Sequence, residues 1–487
     1  MSGLDVIDGP ELTRKLWTEE ILSKSSSRPV YLSTVEVNGG ETFSSEFFKK
    51  LLNPLIENSD YTLNELIDKI DDSREKLSKT EVFKTIDVTL HSDFSKKAPE
   101  DVKRYNKEIS IPTKVVFDLS TINMNIGEGF LNFNNEDHLN VDLNYLNNNF
   151  NNNAEFVNVG VNYNPYKPND HLFTNGKFLA NLNNPCFKFL IDIHHSQQNN
   201  ETWQQASEGA TGGVIGLQYS KGKSLNVLTG LSLIKRTIHN IDDGADDQIK
   251  IFAGEYLKSS IINKIDYCKN IQFSDQLTKN FIINGFKSSA SYELASNQEQ
   301  DDSTNLGLFA KACYSIDLYK SFFNNYLTTQ LSTNFGGIYN FNEKFPIHVS
   351  DKFYLGGMNS FKGFKRNAID SNGGLQFYKI SATIYSKLPK FIISPNPEIE
   401  SSCQVSYEPH PLRLYLNGTI GNLSNNLLLE KTIPASAGFG IKYFNHWCNF
   451  DIGYFVSQRL YNSSNNFGIK DGLQFEVSIG GTNRTFN

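Results

Sequence analysis

From about residue 121 to its end, the chain alternates apolar and polar residues in one segment after another. In LNVDLNYL, the apolar Leu139, Val141, Leu143 and Tyr145 are separated by polar residues. The same alternation recurs in VNVGVNY, LTTQLSTNF, ASAGFGIKYF, NFDIGYFV and LQFEVSIGG. Successive side chains of a β-strand point to opposite faces, so this pattern predicts many strands with one apolar and one polar face.

The length of this region favours a membrane barrel over a soluble β-sandwich. The strands of a sandwich also alternate, but a sandwich with so many strands would be unusually large for a single core. Asn, Gly, Thr and Gln recur on the polar face, as expected for a wet lumen behind a lipid-facing apolar surface. At roughly 22 residues per strand with its connection, the region holds about 16 strands. The sequence therefore predicts a mostly β fold with a transmembrane 16-stranded antiparallel β-barrel over residues 120–487.

Residues 29–119 have a different pattern. VYLSTVEVNG alternates like a strand, whereas SSEFFKKLLNPLIE and TLNELIDKIDDSREKLSK have helical spacing and begin with capping Ser or Thr. EVFKTIDVTLHS and PTKVVFDLS alternate again. The predicted order is β-α-α-β-β, a small domain that can fold alone and offer a sheet edge to a partner. Residues 1–28 are predicted to be an N-terminal extension.

Composition excludes several classes of protein. The net charge of -7 makes a dedicated nucleic-acid binder improbable. The five cysteines form no C-x-x-C pair, so neither a zinc site nor a disulfide scaffold is indicated. The N-terminus lacks the patterns of a secretory signal or a matrix presequence, and no apolar run approaches the roughly 20 residues of a membrane helix.

No pattern of residues indicates an enzyme, a cofactor or a metal site. GLQYSKGKS resembles a phosphate loop but has one residue too many between Gly216 and Gly222, so we predict a hairpin turn there. His194 and His195 are adjacent on a predicted strand and therefore face opposite sides. We predict a non-enzymatic protein without cofactor or metal.

Two short motifs remain. The first, LGGMNSFKGF, is a loop with three glycines and two aromatic rings around one lysine: Gly356, Gly357, Phe361, Lys362, Gly363 and Phe364. The second, KDGLQFEVSIGG, follows the pattern polar-x-Gly-x-x-apolar-x-apolar through Lys470, Gly472, Phe475 and Val477. Such a strand, with a glycine start and a short apolar face, is suited to pairing edge to edge in lipid.

In this arrangement the chain resembles the outer-membrane β-barrel insertase superfamily, in which a POTRA-type domain precedes a 16-stranded barrel with a [VI]-R-G-[FY] loop after about the eleventh strand. PIHVSDKFYLGGMNSFKGF and the following GGLQFYKISATIYSKLP are similar to the central barrel subunits of the mitochondrial sorting and assembly machinery of yeasts. The resemblance extends over residues 30–481 and is strongest at 346–389 and at the C-terminus.

This resemblance implies an insertase of β-barrel precursors in the mitochondrial outer membrane, with the POTRA domain in the intermembrane space. The implied partners are β-barrel precursor proteins, peripheral subunits of the complex on the cytosolic side, a second barrel subunit or copy, and the lipid bilayer. Two related functions stay open. A protein-translocating or secretion pore has the same plan, and a bacterial assembly factor would carry a cleavable signal peptide and several POTRA units.

The resemblance also implies that a loop, here residues 352–372, folds back into the barrel and that its basic residue pairs with an acid on the inner wall. This chain has Lys362 where the family has arginine, which keeps the charge but loses the bidentate fork. Alternation in NFDIGYF places Asp451 inside the barrel and Ile452 and Tyr454 outside. Asp451 is therefore the predicted partner of Lys362.

The resemblance further implies a lateral gate between the first barrel strand, predicted at 121–133, and the last, predicted at 470–481. The first strand is rich in Asn and Gly, so its pairing should be weak. Its predicted gate residues are Thr121, Asn123, Asn125, Gly127 and Gly129. Since the last strand itself carries the signal pattern, the chain is expected to be a substrate of the same kind of machine.

Overall fold

The computed structural model describes residues 20, 24–93, 95–96, 110–135, 139–222, 224–274, 281–299, 306–388, 411–445, 447–461 and 468–482. All but residues 20 and 24–28 of the predicted N-terminal extension lie outside the described residues. The chain divides into two compact units, of which the first comprises Met1–Met124, Asn147–Phe156 and Ala180–Phe187. The second comprises Asn125–Leu146, Val157–Leu179 and Lys188–Asn487.

The first unit contains a four-stranded sheet and two helices. Its elements are β1 (Pro29–Asn38), α1 (Ser45–Ile56), β2 (Asp60–Thr62), α2 (Leu63–Lys79), β3 (Phe83–Ser92) and β4 (Ile111–Thr121). The sheet order is β2-β1-β4-β3, in which β1 and β4 are parallel and the other pairs antiparallel. The predicted helices and three long strands are present. The three-residue β2 was not predicted, because so short a segment shows no alternation.

Capping residues fix where the two helices begin. The Ser44 hydroxyl accepts from Phe47 N at 3.1 Å. Thr62 and Glu65 form a reciprocal capping box, with Thr62 N donating to Glu65 Oε2 at 2.9 Å. Each helix turns one apolar stripe to the sheet, and the buried core includes Phe47, Leu51, Leu55, Leu66, Ile70, Leu77, Val115 and Phe117.

Sixteen strands close into a barrel in chain order from β5 to β20, and β20 lies beside β5. They are β5 (Asn125–Asn134), β6 (Leu139–Phe150), β7 (Glu155–Tyr163), β8 (His171–Asn181), β9 (Phe187–Asn199), β10 (Ser207–Lys221), β11 (Leu225–His239), β12 (Gly254–Phe273), β13 (Ile282–Glu299), β14 (Leu306–Phe322), β15 (Leu327–Asn340), β16 (Gln376–Lys387), β17 (Leu412–Ser424), β18 (Ile433–Phe444), β19 (Cys448–Leu460) and β20 (Gly472–Thr482). Short helices α3 (Glu201–Gln204) and α4 (Asp247–Lys250) lie in connections. The predicted 16-stranded antiparallel barrel is confirmed.

Alternation sorts the side chains as the sequence predicts, and β19 shows it most plainly. Asp451 and Phe455 are buried inside, at 9 % and 0 % exposure. Tyr454, between these two residues, and Val456, just after Phe455, are about half exposed on the outer face. The hairpin predicted at GLQYSKGKS is also present, since β10 ends at Lys221 and β11 begins at Leu225. Among the described residues, no helix has the length and apolarity needed to cross a membrane.

Two predicted strand ends are wrong. Thr121 is the last residue of β4, where it pairs with Phe83, and Asn123 lies in the connection, because the alternation of β4 runs into that of β5 without a break. At the other end Lys470 precedes β20, which begins at Gly472. Gly472 has φ +117, so the chain turns there into the strand.

Candidate functional site

The connection between β15 and β16, residues 341–375, lies against the inner wall of the barrel. It follows the eleventh barrel strand, where the resemblance places its loop. Its apolar residues Phe353, Leu355, Phe361 and Phe364 share a buried cluster with wall residues such as Phe309 and Leu423. This segment, called the inward loop below, is therefore a packed part of the lumen.

Glycines shape the tip of the inward loop. Gly356 has φ +132, and a Cβ there would lie 2.2 Å from Lys365 O, so only glycine fits. Gly363 has φ +89 and lies so close to the wall that a Cβ would be 3.0 Å from Ser436 Cβ and 3.1 Å from Ser457 Cβ. Gly357 N donates to Phe364 O at 3.1 Å, which closes the turn that presents Lys362.

The first wall contact of the inward loop is the pair Lys362 and Asp451. Lys362 Nζ lies 2.8 Å from Asp451 Oδ2, and the Tyr415 hydroxyl donates to Asp451 Oδ1 at 2.6 Å. The ammonium also lies 5.0 Å from the ring centroid of Tyr415 and 5.4 Å from that of Phe455. Burial lowers the pKa of Lys362, and Asp451 offsets part of this effect. A single charge is thus held between one carboxylate and two aromatic faces.

Replacing Lys362 with alanine is expected to reduce the free energy of unfolding by about 1–3 kcal/mol, because Asp451 would keep only the Tyr415 hydrogen bond. Lys362→Arg should stay close to the parent, since it keeps the charge. Thermal unfolding in lipid would measure both, with Lys365→Ala on an exposed position of the same loop as control. Parent-like behaviour of Lys362→Ala would show that the pair does not hold the loop.

The second wall contact, at Asp351, was not predicted. Arg236 of β11 forms a bidentate pair with Asp351, at 2.8 and 2.9 Å. Lys258 Nζ of β12 lies 2.7 Å from Oδ1, and Asn297 Nδ2 of β13 donates to Oδ2 at 2.9 Å. Lys311 Nζ of β14 donates to the backbone oxygen of Asp351 at 2.7 Å. Four consecutive strands therefore converge on one loop residue.

The charges around Asp351 are buried and mutually compensating. The carboxylate is 2 % exposed, and Lys258 also pairs with Glu293 at 2.6 Å. Burial raises the pKa of Asp351, but Arg236 and Lys258 outweigh it and hold the pKa well below its usual range. Burial, with Arg236 adding to it, lowers the pKa of the neighbouring His348 to about 3, so this ring is neutral. Asp351 is thus a fixed anion that ties the loop to the wall.

The seam where the barrel closes joins β20 to β5 over only seven residues of each strand. Its register runs from Glu476 opposite Asn134 to Thr482 opposite Glu128. By contrast, β10 and β11 pair along all 15 residues of each. Of the predicted gate residues on β5, Gly129 lies in the seam, opposite Gly481, whereas Asn125 and Gly127 precede it.

The two strands of the seam approach closely. A Cβ on Gly480 would lie 2.0 Å from Gly129 O, so glycine is required there. Of the predicted signal residues, Val477 is opposite Phe133 and Phe475 packs on Phe133 with ring centroids 5.5 Å apart. The seam is therefore short, and glycines occupy part of it on both strands.

The inward loop is hydrogen-bonded to the last strand and to the residues just before it. Gly363 N donates to Gln474 Oε1 at 3.1 Å, and Lys470 N donates to Gly363 O at 2.9 Å. Lys365 N also donates to Gly468 O at 2.8 Å. These bonds join the two motifs, which are far apart in the sequence, into one site.

Lys470 and Asn135 extend this site to the first strand. Lys470 Nζ donates to Asn135 O at 3.2 Å, and Asn135 Nδ2 donates to Leu473 O at 3.1 Å. The seam is thereby closed at its loop end by side chains, beyond the last paired residues of the ladder. Loop, last strand and first strand form a continuous hydrogen-bonded chain.

Comparison with known proteins agrees with this architecture. Residues 121–396 match the model of the Omp85 superfamily domain. A SAM50-like protein of Schizosaccharomyces pombe is 22 % identical over 478 residues, covering 94 % of this chain and 92 % of that protein. Two solved structures share the fold at low identity. BamA from Haemophilus ducreyi lacking POTRA domains 1–3 has a TM-score of 0.67 at 11 % identity, covering 93 % of this chain and 84 % of that one. CdiB from Acinetobacter baumannii has 0.54 at 12 %, covering 96 % and 80 %.

Proposed function

The chain belongs to the Omp85 superfamily, and on that premise we propose that it inserts β-barrel precursors into the mitochondrial outer membrane. The superfamily comprises barrel insertases and secretion pores. In this proposal the seam between β5 and β20 opens as a lateral gate. The precursor's C-terminal signal strand pairs with β5 in place of β20, and the new barrel grows from that edge.

The physical need for such a gate comes from the backbone. A precursor strand with unpaired N–H and C=O groups cannot enter hydrocarbon, because each unsatisfied group costs several kcal/mol there. A strand edge supplied by the insertase satisfies these groups as the precursor enters. The insertase therefore needs one seam that can separate at moderate cost while the rest of the barrel stays closed.

The observation that carries the proposal is the seam itself. It is seven residues long, and glycines stand on both of its strands. Glycine lacks a side chain for cross-strand packing, so these pairs contribute less than the β-branched and aromatic pairs of an ordinary ladder. The seam is therefore suited to reversible opening.

Two further features support the mitochondrial assignment. The SAM50-like protein of S. pombe aligns over almost the whole of both chains. The β20 segment itself carries the polar-x-Gly-x-x-apolar-x-apolar pattern, so the strand to be displaced is of the same type as the incoming signal. In this function the small domain is a POTRA domain in the intermembrane space, and peripheral subunits on the cytosolic side and a second barrel are the partners.

Site-specific crosslinking tests this function. Asn132→Cys on β5 is expected to form a disulfide with a cysteine in an arriving precursor, at the position equivalent to its register partner Ser478. Ile215→Cys on the outer face of β10, which is 56 % exposed, serves as the control for random collision. Equal yields at the two positions would sink the proposed gate.

A secretion pore is the second candidate. The packed inward loop favours it, because a pore must be plugged at rest. It differs in its cargo. A secretion pore would pass a soluble polypeptide across liposomes that contain the full chain, without any crosslink to β5. An insertase would leave soluble cargo outside and deliver barrel precursors into the bilayer.

A further inference from the structure

Gln474 is a completely buried polar residue at the start of β20, at 0 % exposure. Its neighbour Leu473 faces outward and is 61 % exposed, so Gln474 points into the barrel. Both ends of its amide are used. Oε1 accepts from Gly363 N at 3.1 Å, and Nε2 donates to Lys470 O at 3.4 Å. The side chain therefore connects the inward loop to the last strand through a specific polar contact.

Gly363 contacts β20 through its backbone N–H, and contacts β19 and the residues just before β20 through its C=O. Its N–H requires an acceptor from a side chain, which Gln474 provides. Its C=O receives a backbone N–H from Lys470 and the hydroxyl of Ser457 on β19. The second contact is open to nearly any residue at the position of Lys470, whereas the first depends on the identity of the residue at 474.

On the basis of the proposed function, we propose that Gly363 reads the precursor's signal strand at the position equivalent to Gln474. A strand that replaces β20 in the same register brings this position to the Gly363 N–H. The ligand is thus a β-strand with a hydrogen-bond-accepting side chain immediately before its first apolar signal residue. A position that the signal pattern leaves free becomes a determinant of recognition.

Desolvation explains why the acceptor matters. When the strand is in place, the Gly363 N–H is shut off from water, and a buried donor without a partner carries a penalty. Leucine at this position has nearly the volume of glutamine but neither acceptor nor donor, so it removes the hydrogen bonds to Gly363 and Lys470 with little change in packing. Ser478, four residues along on the same inward face and within the seam, is a matched control position.

The probe is a synthetic peptide with the sequence of residues 468–482, added to the full chain in liposomes. Two disulfides report where it sits. Peptide Ser478→Cys with protein Asn132→Cys reports pairing at the seam, since these residues are register partners. Peptide Glu476→Cys with protein Asn359→Cys reports docking at the loop, since these side chains lie 3.4 Å apart.

The unaltered peptide, meaning one that differs from residues 468–482 only by its reporter cysteine, is expected to give the crosslink at both positions. In the peptide, Gln474→Leu should raise the concentration for half-maximal seam crosslinking about tenfold and should reduce the yield of the loop crosslink at saturation. Ser478→Ala should leave both the yield and the concentration dependence of the loop crosslink nearly unchanged. Equal crosslinking by the Gln474→Leu and unaltered peptides at both positions would overturn the reading by Gly363 and leave the gate intact. Absence of the seam crosslink with the unaltered peptide would overturn the gate, and this inference with it.

Discussion

Replacing Asp351 with asparagine is expected to lower the free energy of unfolding of the barrel by about 3–5 kcal/mol and to release the base of the inward loop. The reason is the imbalance that remains. Arg236 and Lys258 are both nearly inaccessible to water; Arg236 pairs with this carboxylate, and Lys258 is shared between it and Glu293. Asparagine has a similar shape but no charge, so Arg236 would lose its counter-ion and Lys258 would be left with Glu293, while the packing stayed the same.

Thermal unfolding of the full chain in lipid would measure this effect, and protease sensitivity of residues 341–375 would report release of the loop. Asp247→Asn is a suitable control, because that carboxylate is 97 % exposed. Adding Arg236→Gln to Asp351→Asn should restore part of the lost stability, since the double variant removes one uncompensated charge. A parent-like unfolding temperature for Asp351→Asn would show that the four-strand network does not secure the loop.

Joining β5 to β20 by a disulfide is expected to reduce precursor insertion to the background level. In a background without the native cysteines, Asn132→Cys and Ser478→Cys are register partners whose spacing suits a disulfide. Oxidation then fixes the seam without altering the loop, and insertion should stop because no strand edge becomes available. Reduction should restore the activity of the same sample.

The matched control keeps Ser478→Cys and pairs it with Asn449→Cys, its register partner on β19. This disulfide joins β19 to β20 and leaves the seam with β5 free to open, so insertion should proceed even though β20 stays at Gly363 and the signal strand is not read there. If both disulfides stopped insertion equally, strain in β20 would be the cause. If neither did, the precursor would enter at another place.

The sequence predicts the features of this protein that repeat locally. Alternation suffices to predict the barrel, because each strand shows it independently of the others. It also places Asp451 on the inner face. Helical spacing with a Ser or Thr cap suffices for α1 and α2. Strand ends are less certain, as Thr121 shows, because a residue that alternates can belong to either of two successive strands.

The parts that could not be predicted depend on register. Asp351 lies 115 residues from Arg236 in the chain, and nothing in either segment indicates that they meet. Gln474 likewise looks like any polar residue of an alternating strand until the loop is placed beside it. These contacts follow from how far each strand is shifted along its neighbour, which turn lengths and packing decide together.

The inward loop is also a brace across the barrel. Its polar anchors lie on β11 to β14 on one side of its origin and on β19 and β20 on the other. Without such a brace, a barrel opened along one seam would be free to flatten into an open sheet. With the brace in place, the wall from β11 to β19 is expected to move as one body, so that opening is confined to β20 and the strands from β5 to β10.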